Sequence, residues 1–348
     1  MAWSVAPEPA LRGLQVEWEE PGELLVSRRN RLFRCDGPGA ALTPIGRFPA
    51  PGWRAAAARL RPAQRALRFL YYNVLKLPSG ELFASFDKEV GVSRGGDFEP
   101  LPGLVRPCRI LRSGCALGPD GGVTFGEYIR NTDHDQPIHL YRYEPGSARL
   151  EVLRRFEPGF VRHVHGIHAD PFDGSLWLVS GDLEHECRML RSTDGFQSFD
   201  EVGGGDESWR CVAVAFTRRA VFYATDSEFQ ANHVYRVDRA SGERRSLGEI
   251  DGPVYVGRAM GEEAFFAVTA ELCPSQVGRS ATLWQVDEQD RLERCVAFEK
   301  DALHRALFMV GTLHTARGPG LGDRFHMHGV ALQGADNRTF RVSRSAAA

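Results

Sequence analysis

The most constraining feature of the sequence is a short β-rich run that recurs along the chain. Each copy is apolar and ends in polar or small residues, as in Leu24–Ser27 before Arg28 and Leu82–Ser85 before Asp87. The starts of the copies lie roughly 40 to 58 residues apart, which is the range of propeller blades. The other five copies are Val123–Gly126, Leu176–Gly181, Val221–Thr225, Phe265–Thr269 and Leu307–Gly311.

The segments around each run predict a four-stranded meander. A strand and a turn precede it, as in Val74–Pro78 with Ser79 and Gly80, and two further strands follow, as in His139–Tyr143 and Leu150–Phe156. Such turn spacing and β-branched content favour an all-β fold. We therefore predict a seven-bladed β-propeller of four-stranded antiparallel meanders.

Six blades remain an alternative, because the last segment, Ala306–Ser343, has no clear first strand. In either case we expect Leu14–Glu19 to supply the strand that closes the ring. A single domain over 1–348 is predicted, with a short helical or irregular insertion near 53–68. Pro62 limits the length of a helix there.

Composition narrows the classes of partner. Apolar residues make up 43% of the chain, enough for a full core, and the net charge of −2 argues against a nucleic-acid or polybasic membrane surface. The start of the chain lacks the features of a signal peptide, and no stretch has the length of a membrane span. Seven scattered cysteines are expected to be reduced core thiols. We expect a cytoplasmic protein; the oligomeric state is left open.

One segment carries a family resemblance. Ser192-Thr193-Asp194-Gly195-Phe196-Gln197-Ser198-Phe199 resembles the Asp-box, S-x-D-x-G-x-[ST]-[WF], and Ser93–Phe98 is similar to a degenerate copy. This is typical of the sialidase-like, BNR-repeat propellers. The resemblance implies a tight turn between the third and fourth strands of a blade, and it implies a fold without an activity. The sialidase family's Arg-Ile-Pro-like start is absent from this sequence.

A weaker resemblance points to the gluconolactonase/SMP-30-like propellers. It rests on Tyr223–Ser227, on Asn232 and on Val234–Asp238, which are similar to a D-x-x…N-x-[IV]-Y-R-[VF]-D blade. This resemblance implies a metal-dependent, lactonase-like hydrolase.

Propeller geometry predicts a mouth at which polar residues meet. Second strands end and first strands begin at the same end of the axis, where large folds usually bind ligands. The residues that follow the second strands are Arg28, Asp87, Glu127, Asp182, Asp226, Glu271 and His314. Those near the starts of the first strands are Tyr71, Tyr72, Asn73, Arg109, Arg162, His163, His165, Trp209, Arg210, Tyr255 and Arg258. Arginine and carboxylate side chains together suit an anionic or polyhydroxylated ligand.

The sharpest motif is Arg162-His163-Val164-His165, because alternate residues of a strand share a face. Three interpretations remain: the two histidines hold a divalent metal together with a carboxylate such as Asp182 or Glu127 or with a histidine of another blade, they act as acid/base or ligand contacts, or they are structural. His326-Met327-His328 is a second His-x-His.

The loop from Gly181 to Arg188 is dense in charge, and Arg188 is a candidate ligand contact. Glu127 and Asp182 are candidates for a general acid and base.

These features predict a carbohydrate-active enzyme, a glycosidase or polysaccharide lyase. Its catalytic residues would be His163, His165, Glu127 and Asp182. Two alternatives stay open: a non-catalytic propeller that binds a saccharide, metabolite or protein, and a metal-dependent lactonase-like hydrolase.

Overall fold

Seven four-stranded antiparallel sheets surround a common axis, which confirms the seven-bladed propeller. The computed structural model describes residues 3–344, and within them 28 strands form the seven sheets. The first strand of the chain, β1 (Trp3–Pro7), belongs to the last blade. In blades one to six the strands follow one another in chain order from the axis outward.

The strand bounds of the first three blades are as follows. Blade one contains β2 (Gln15–Glu20), β3 (Glu23–Arg28), β4 (Arg31–Cys35) and β5 (Thr43–Arg47). Blade two contains β6 (Tyr71–Lys76), β7 (Leu82–Phe86), β8 (Glu89–Ser93) and β9 (Glu99–Pro100). Blade three contains β10 (Cys115–Leu117), β11 (Val123–Gly126), β12 (Ile138–Tyr143) and β13 (Glu151–Phe156).

The remaining blades have these bounds. Blade four contains β14 (His163–Ala169), β15 (Leu176–Gly181), β16 (Arg188–Ser192) and β17 (Asp200–Gly204). Blade five contains β18 (Cys211–Phe216), β19 (Ala220–Thr225), β20 (Asn232–Asp238) and β21 (Arg244–Ile250). Blade six contains β22 (Val254–Met260), β23 (Glu263–Val268), β24 (Ser280–Val286) and β25 (Leu292–Glu299). Blade seven contains β26 (Thr312–Thr315), β27 (Arg324–Val330), β28 (Arg338–Arg344) and β1.

Six of the seven apolar runs in the sequence are second strands of the blades. Every residue of β15, β19 and β23 is buried, because these strands lie between neighbours in their own sheet and between two adjacent blades. The outer strands β21 and β25 consist almost entirely of part-buried and exposed positions, as expected for a half-solvated edge. The core is therefore a ring of sheet-to-sheet interfaces.

The ring is closed by β1, so the expected closing strand was wrong. Trp3–Pro7 pairs with β28 as the outermost strand of blade seven, whereas most of Leu14–Glu19 is β2, the inner strand of blade one. The Trp3 ring packs edge-on against Phe265 at a centroid distance of 4.8 Å, and its Nε1 donates to Glu263 at 3.1 Å. These contacts tie the first residues of the chain to blade six.

The seventh copy of the repeat was also wrong in position. Leu307–Gly311 overlaps a short helix, α3 (Arg305–Phe308), and is followed by β26, an inner strand. The second strand of blade seven is β27. Its histidines, His326 and His328, are buried and hydrogen-bonded to Glu19 and Thr339, respectively. Because these residues are polar, the sequence of this interior strand does not form an apolar run.

Two further helices, α1 (Gly52–Ala57) and α2 (Arg61–Ala66), separate blades one and two. Pro62 lies in the first turn of α2, where its missing N–H costs nothing, so it helps to begin this helix. Single-turn 3₁₀ helices cover Pro9–Leu11, Glu184–Glu186 and Glu207–Trp209. Among the described residues, no helix has the length and apolar character needed to cross a membrane.

Five inner strands share a β-bulge near the mouth. The pairing of the first with the second strand shifts by one residue in blades one, two, four, five and six. Such a bulge bends the strand and re-aims the extra side chain. The extra residues are Glu17, Tyr72, His165, Val212 and Tyr255.

Candidate functional site

The candidate site forms where the inner strand of blade four begins and its second strand ends. His163, the first residue of β14, pairs with Gly181, the last residue of β15. This register brings Asp182, the next residue in the chain, beside the start of β14. The bulge at His165 then turns its imidazole toward that of His163.

Three ligand atoms converge in this corner. The Nε2 atoms of His163 and His165 lie 3.1 Å apart. Each is 3.3 Å from one oxygen of Asp182, His163 from Oδ2 and His165 from Oδ1. Both histidines are buried, whereas 20% of the Asp182 side chain is exposed to the mouth. The triad of His163, His165 and Asp182 is thus accessible from one side.

Backbone carbonyl groups determine which imidazole nitrogens carry protons. The Nδ1 of His163 lies 2.9 Å from the Ile129 oxygen, and that of His165 lies 3.0 Å from the Cys211 oxygen. Since a carbonyl oxygen only accepts, each Nδ1 is the N–H donor. Burial lowers the pKa of His165, which keeps its ring neutral. Each ring in its neutral form therefore presents an Nε2 lone pair to the other ring and to a carboxylate, and a cation would relieve this repulsion.

Two arginines hold the Asp182 carboxylate. The Arg162 guanidinium lies 2.8 Å from Oδ2, and the Arg210 guanidinium lies 3.2 Å from Oδ1. Burial alone would raise the pKa of Asp182, but its polar neighbours, above all His163 and His165, outweigh it and lower the pKa. The group is therefore an anion, held in position by neighbours in its own blade and in blade five.

The triad matches the donor set of a divalent metal ion. Bonds of about 2.1 Å at tetrahedral or octahedral angles separate neighbouring ligand atoms by roughly 3.0 to 3.4 Å. The observed separations of 3.1 to 3.3 Å fall in this range. Carbonyl groups that orient the ligating imidazoles are a recurrent feature of metal sites. In the described chain this is the single group of three or more ligand-type side chains close enough to hold an ion.

A pocket of about 380 Å³ opens beside the triad. Its wall includes His163, Asp182 and Tyr128, whose ring lies 4.3 Å from the His163 ring. Four cationic side chains face the same space, so its potential is positive and suits an anionic ligand. These cations are Lys88, Arg109, Arg130 and Arg162.

A second acidic pair lies across the mouth in blades five and six. Burial, and then repulsion by Glu271, raises the pKa of Asp226 well above its usual value despite the Arg210 charge. Burial also raises the pKa of Glu271, which accepts a hydrogen bond from the Tyr255 hydroxyl. Asp182 is thus ionised near neutral pH, whereas Asp226 holds its proton to a higher pH than an ordinary aspartate, and the two differ in the chemistry they offer.

Glu127 lies outside this group, in the interior of blade three. It is fully buried, and Arg106 binds both of its oxygens at 3.0 to 3.1 Å. The Tyr141 hydroxyl and the His139 backbone N–H donate to it as well. With all its acceptor positions engaged, Glu127 stabilises the blade, and we do not pair it with Asp182.

The structure places three further sequence candidates away from the pocket. Asp87 forms an ion pair with Arg54 of α1 at 2.9 Å. Trp209 stacks on Tyr223 at 5.6 Å, so its ring is part of the interface between blades. Arg188 pairs with Glu201 at 2.5 Å, on the outer half of blade four.

Three other residues that the sequence placed at the mouth lie away from the blade-four pocket. Arg258 pairs with buried Glu19 at 2.8 Å and lines a cavity at the opposite end of the axis, because it lies four residues beyond the start of β22. Tyr72 packs in blade two against a cluster of Leu70, Met309 and Val330. His314 is buried in β26 and bonds to a threonine hydroxyl, so it does not follow a second strand as expected.

Sequence reasoning missed Lys88, Tyr128 and Arg130. Lys88 and Tyr128 come one residue after Asp87 and Glu127, the positions chosen from the sequence. The first residue after a second strand can still face the sheet interior, whereas the next can face the mouth. A two-residue window after each apolar run would have found both side chains.

The turn of Ser192–Phe199 joins β16 and β17, the third and fourth strands of blade four. The Asp194 carboxylate accepts the Ser198 N–H at 2.9 Å and the Ser198 hydroxyl at 2.6 Å. The Ser192 hydroxyl accepts the Phe196 N–H at 2.7 Å. The segment is a self-contained capped turn on the outside of the blade, apart from the triad.

Comparison with known proteins shows the fold alone. No protein-family model matches the sequence. No curated protein matches it either. Oligogalacturonate lyase from Vibrio parahaemolyticus is similar in structure, with a TM-score of 0.60, 8% identity and coverage of 97% of this chain and 93% of that one.

Two more solved structures show comparable similarity. An oligogalacturonate lyase in complex with manganese has a TM-score of 0.58 at 10% identity and covers 99% of this chain and 91% of its own. A chain of the Mitotic Checkpoint Complex has a TM-score of 0.57 at 10% identity, with coverage of 99% and 94%. At these identities the likeness establishes a β-propeller-type fold, and it lends no support to the narrower sialidase-like assignment.

Proposed function

We propose that this chain is a carbohydrate-active enzyme, a lyase that cleaves an anionic, uronate-containing saccharide at the mouth of the propeller. One observation carries the proposal: the triad of His163, His165 and Asp182 opens onto a pocket whose other charged side chains are all cationic. A pocket of about 380 Å³ accommodates one or two sugar rings.

In this proposal the triad holds a divalent cation. When bound, that ion neutralises the carboxylate of the substrate and so acidifies the neighbouring C–H bond. Arg109, Arg130 and Arg162 orient the same carboxylate through their guanidinium groups. Asp182 keeps its place because Arg162 and Arg210 bind its two oxygens.

The elimination needs a group that accepts the C5 proton while the C4–O bond breaks and the C4–C5 double bond forms. Arginine side chains of the pocket stay protonated. Burial raises the pKa of Cys108 to about 12, and it raises that of Tyr128 as well. Lys88 is the remaining pocket side chain that can accept the proton, in the fraction of the protein in which its amine is uncharged, and the Tyr128 hydroxyl on the same wall donates to the leaving oxygen.

The comparisons support this proposal at the level of the substrate class. Two structures similar to this chain are oligogalacturonate lyases, and one of them was solved with manganese. Hydrolysis fits the mouth less well, since Asp182 is held between two arginines and Glu127 is sequestered in blade three.

The test is turnover of oligogalacturonates in the presence of Mn²⁺, followed through the ultraviolet absorbance of the unsaturated product. We expect Lys88→Met to reduce turnover by about 10²-fold or more while saccharide binding persists, because a general base contributes that much. Glu89→Gln, in the same hairpin, is the matched control and should be unaffected. If the protein binds saccharides but forms no unsaturated product from any uronate oligosaccharide, it is a non-catalytic, saccharide-binding propeller. Wild-type turnover in Lys88→Met would remove Lys88 from the mechanism.

A further inference from the structure

A second charged feature lies on the mouth side of blade one, away from the triad. Two adjoining cavities, of about 370 and 530 Å³, share the side chains of Arg28, Arg29 and Arg59. Arg12 lines the first cavity and Arg31 the second. We refer to these five arginines and the space between them as the arginine groove.

The two walls of the arginine groove come from different elements. One wall is the tight hairpin between β3 and β4, in which Arg28 pairs with Arg31 and Arg29 adopts a left-handed conformation with φ of 60°. Asn30 anchors this hairpin, because its side chain donates to the Phe48 carbonyl at 2.8 Å. The facing wall includes Arg59, in the link between α1 and α2. The helical insertion thus completes the groove.

The charges of the arginine groove are not compensated by the protein. Arg47 and Arg61, at its two ends, pair with Asp97 and Asp336 at 2.8 Å. Within residues 3–344, the five groove arginines make no salt bridge and no side-chain hydrogen bond to a protein acceptor. Burial, and then repulsion by Arg59, Arg28 and Arg31, lowers the pKa of Arg29. Such clustering of like charge is unfavourable unless an anion binds.

The shape of the groove indicates the kind of anion. Guanidinium groups bind phosphate oxygens through paired hydrogen bonds. Two joined cavities with three arginines between them exceed the size of a single phosphate. The second cavity also has an apolar wall formed by Phe33, Pro49 and Ala55. This wall can cover a flat or apolar substituent next to the charged groups.

We infer that the arginine groove is a binding site for a ligand with two adjacent phosphate groups. Arg28, Arg29 and Arg59 contact the diphosphate from the two walls, and the apolar wall receives whatever the diphosphate carries. The site is separate from the triad of blade four, and it requires no metal ion.

The test is calorimetric titration of the full-length protein with inorganic pyrophosphate in EDTA at low ionic strength. We expect binding that Arg28→Gln/Arg59→Gln weakens by about tenfold or more, since charged hydrogen bonds are lost. Arg155→Gln is the matched control: Arg155 is exposed and pairs with Glu157 on the outer strand of blade three, and its loss should leave affinity within about twofold. Absence of binding, or equal weakening in Arg155→Gln, overturns the inference.

Two further arms separate this site from the proposed enzyme activity and identify the source of the diphosphate. Arg109→Gln and His163→Ala should leave pyrophosphate affinity unchanged. A loss of affinity in Arg109→Gln would assign the anion to the blade-four pocket and overturn the inference.

A nucleoside diphosphate that binds more tightly than pyrophosphate identifies the apolar wall as a base site. Equal affinity identifies inorganic diphosphate as sufficient. Trigalacturonate and a nucleoside diphosphate are also compared as competitors of pyrophosphate. If trigalacturonate displaces pyrophosphate from the groove at the lower concentration, the assignment to phosphate groups is contradicted.

Because the five arginines are at least partly exposed, the variants should fold. Thermal unfolding provides the independent check. We expect Arg29→Gln to raise the Tm of the ligand-free protein, since repulsion is relieved, and to reduce the stabilisation that pyrophosphate gives to the wild type. A lower Tm for ligand-free Arg29→Gln would contradict the unrelieved repulsion on which the inference rests.

Discussion

The imidazoles of His163 and His165 face each other through Nε2 atoms that are 3.1 Å apart, while each Nδ1 donates to a backbone carbonyl group. This relationship depends on the bulge at His165, which turns an extra residue of the inner strand toward the channel. Asp182 completes the arrangement from the end of the second strand. One strand pair thus supplies all three ligand atoms.

The two mouth aspartates should respond differently to the same isosteric change. Asp182→Asn leaves the guanidinium groups of Arg162 and Arg210 without their anion and is expected to cost about 3 kcal/mol of unfolding free energy. Asp226→Asn replaces a carboxyl group whose neutral form is favoured, because burial raises its pKa, and should cost less than about 1 kcal/mol. Urea unfolding of the metal-free proteins measures both. A larger loss in Asp226→Asn would mean that Asp226 is ionised.

Ring closure predicts a large effect at the first residues of the chain. Trp3 is 9% exposed and joins blade seven to Phe265 and Glu263 of blade six, so Trp3→Ala should cost about 3 kcal/mol. Trp53 of α1 is 66% exposed, and Trp53→Ala is the control, with an expected change below about 0.5 kcal/mol. Denaturant unfolding of both variants decides the matter. Equal stabilities would show that β1 does not close the ring.

The capped turn of blade four predicts a pH-dependent contribution to stability. Hydrogen bonds from Ser198, then from Ser192, lower the pKa of Asp194 to about 2 from an ordinary value of 3.8. Because the folded pKa lies below the unfolded one, the ionised carboxylate stabilises the fold above pH 3.8, and this contribution is lost as the pH falls toward 2.

The measurement is the stability difference between wild type and Asp194→Asn across this pH range. We expect a constant difference near neutral pH that shrinks below about pH 4. Asp200→Asn, at the start of the next strand, is the control, because the hydrogen bonds of the turn go to Asp194. A difference that grows on acidification would be inconsistent with an ionised, hydrogen-bonded Asp194.

The fold was predictable because second strands are buried on both faces and therefore read as uninterrupted apolar runs. The closing strand was not, since Trp3–Pro7 is an outer strand whose residues are mostly part-exposed and carry no such signal. The seventh second strand was missed for the opposite reason. His326 and His328 are polar in sequence but satisfied internally by Glu19 and Thr339.

The site was predictable as far as topology determines it. Asp182, Asp226 and Glu271 follow second strands and meet at one mouth, where each influences the pKa of Tyr128. Depth along a strand was not predictable from the residue type, so Arg258 was placed at the mouth although it lies at the other end of the channel. The partners that engage Glu127 come from β12 and from the loop before blade three, and no local pattern reveals them.

The divalent metal content of the protein, after loading with Mn²⁺ and removal of free ions, shows directly whether His163, His165 and Asp182 form a metal site. We expect one ion per wild-type chain and none in the His163→Ala/His165→Ala variant, with the same far-ultraviolet circular dichroism for both. His326→Ala, in the second His-x-His, should retain the ion. A wild-type chain without bound metal, or full occupancy in the double variant, would contradict a metal site at this triad.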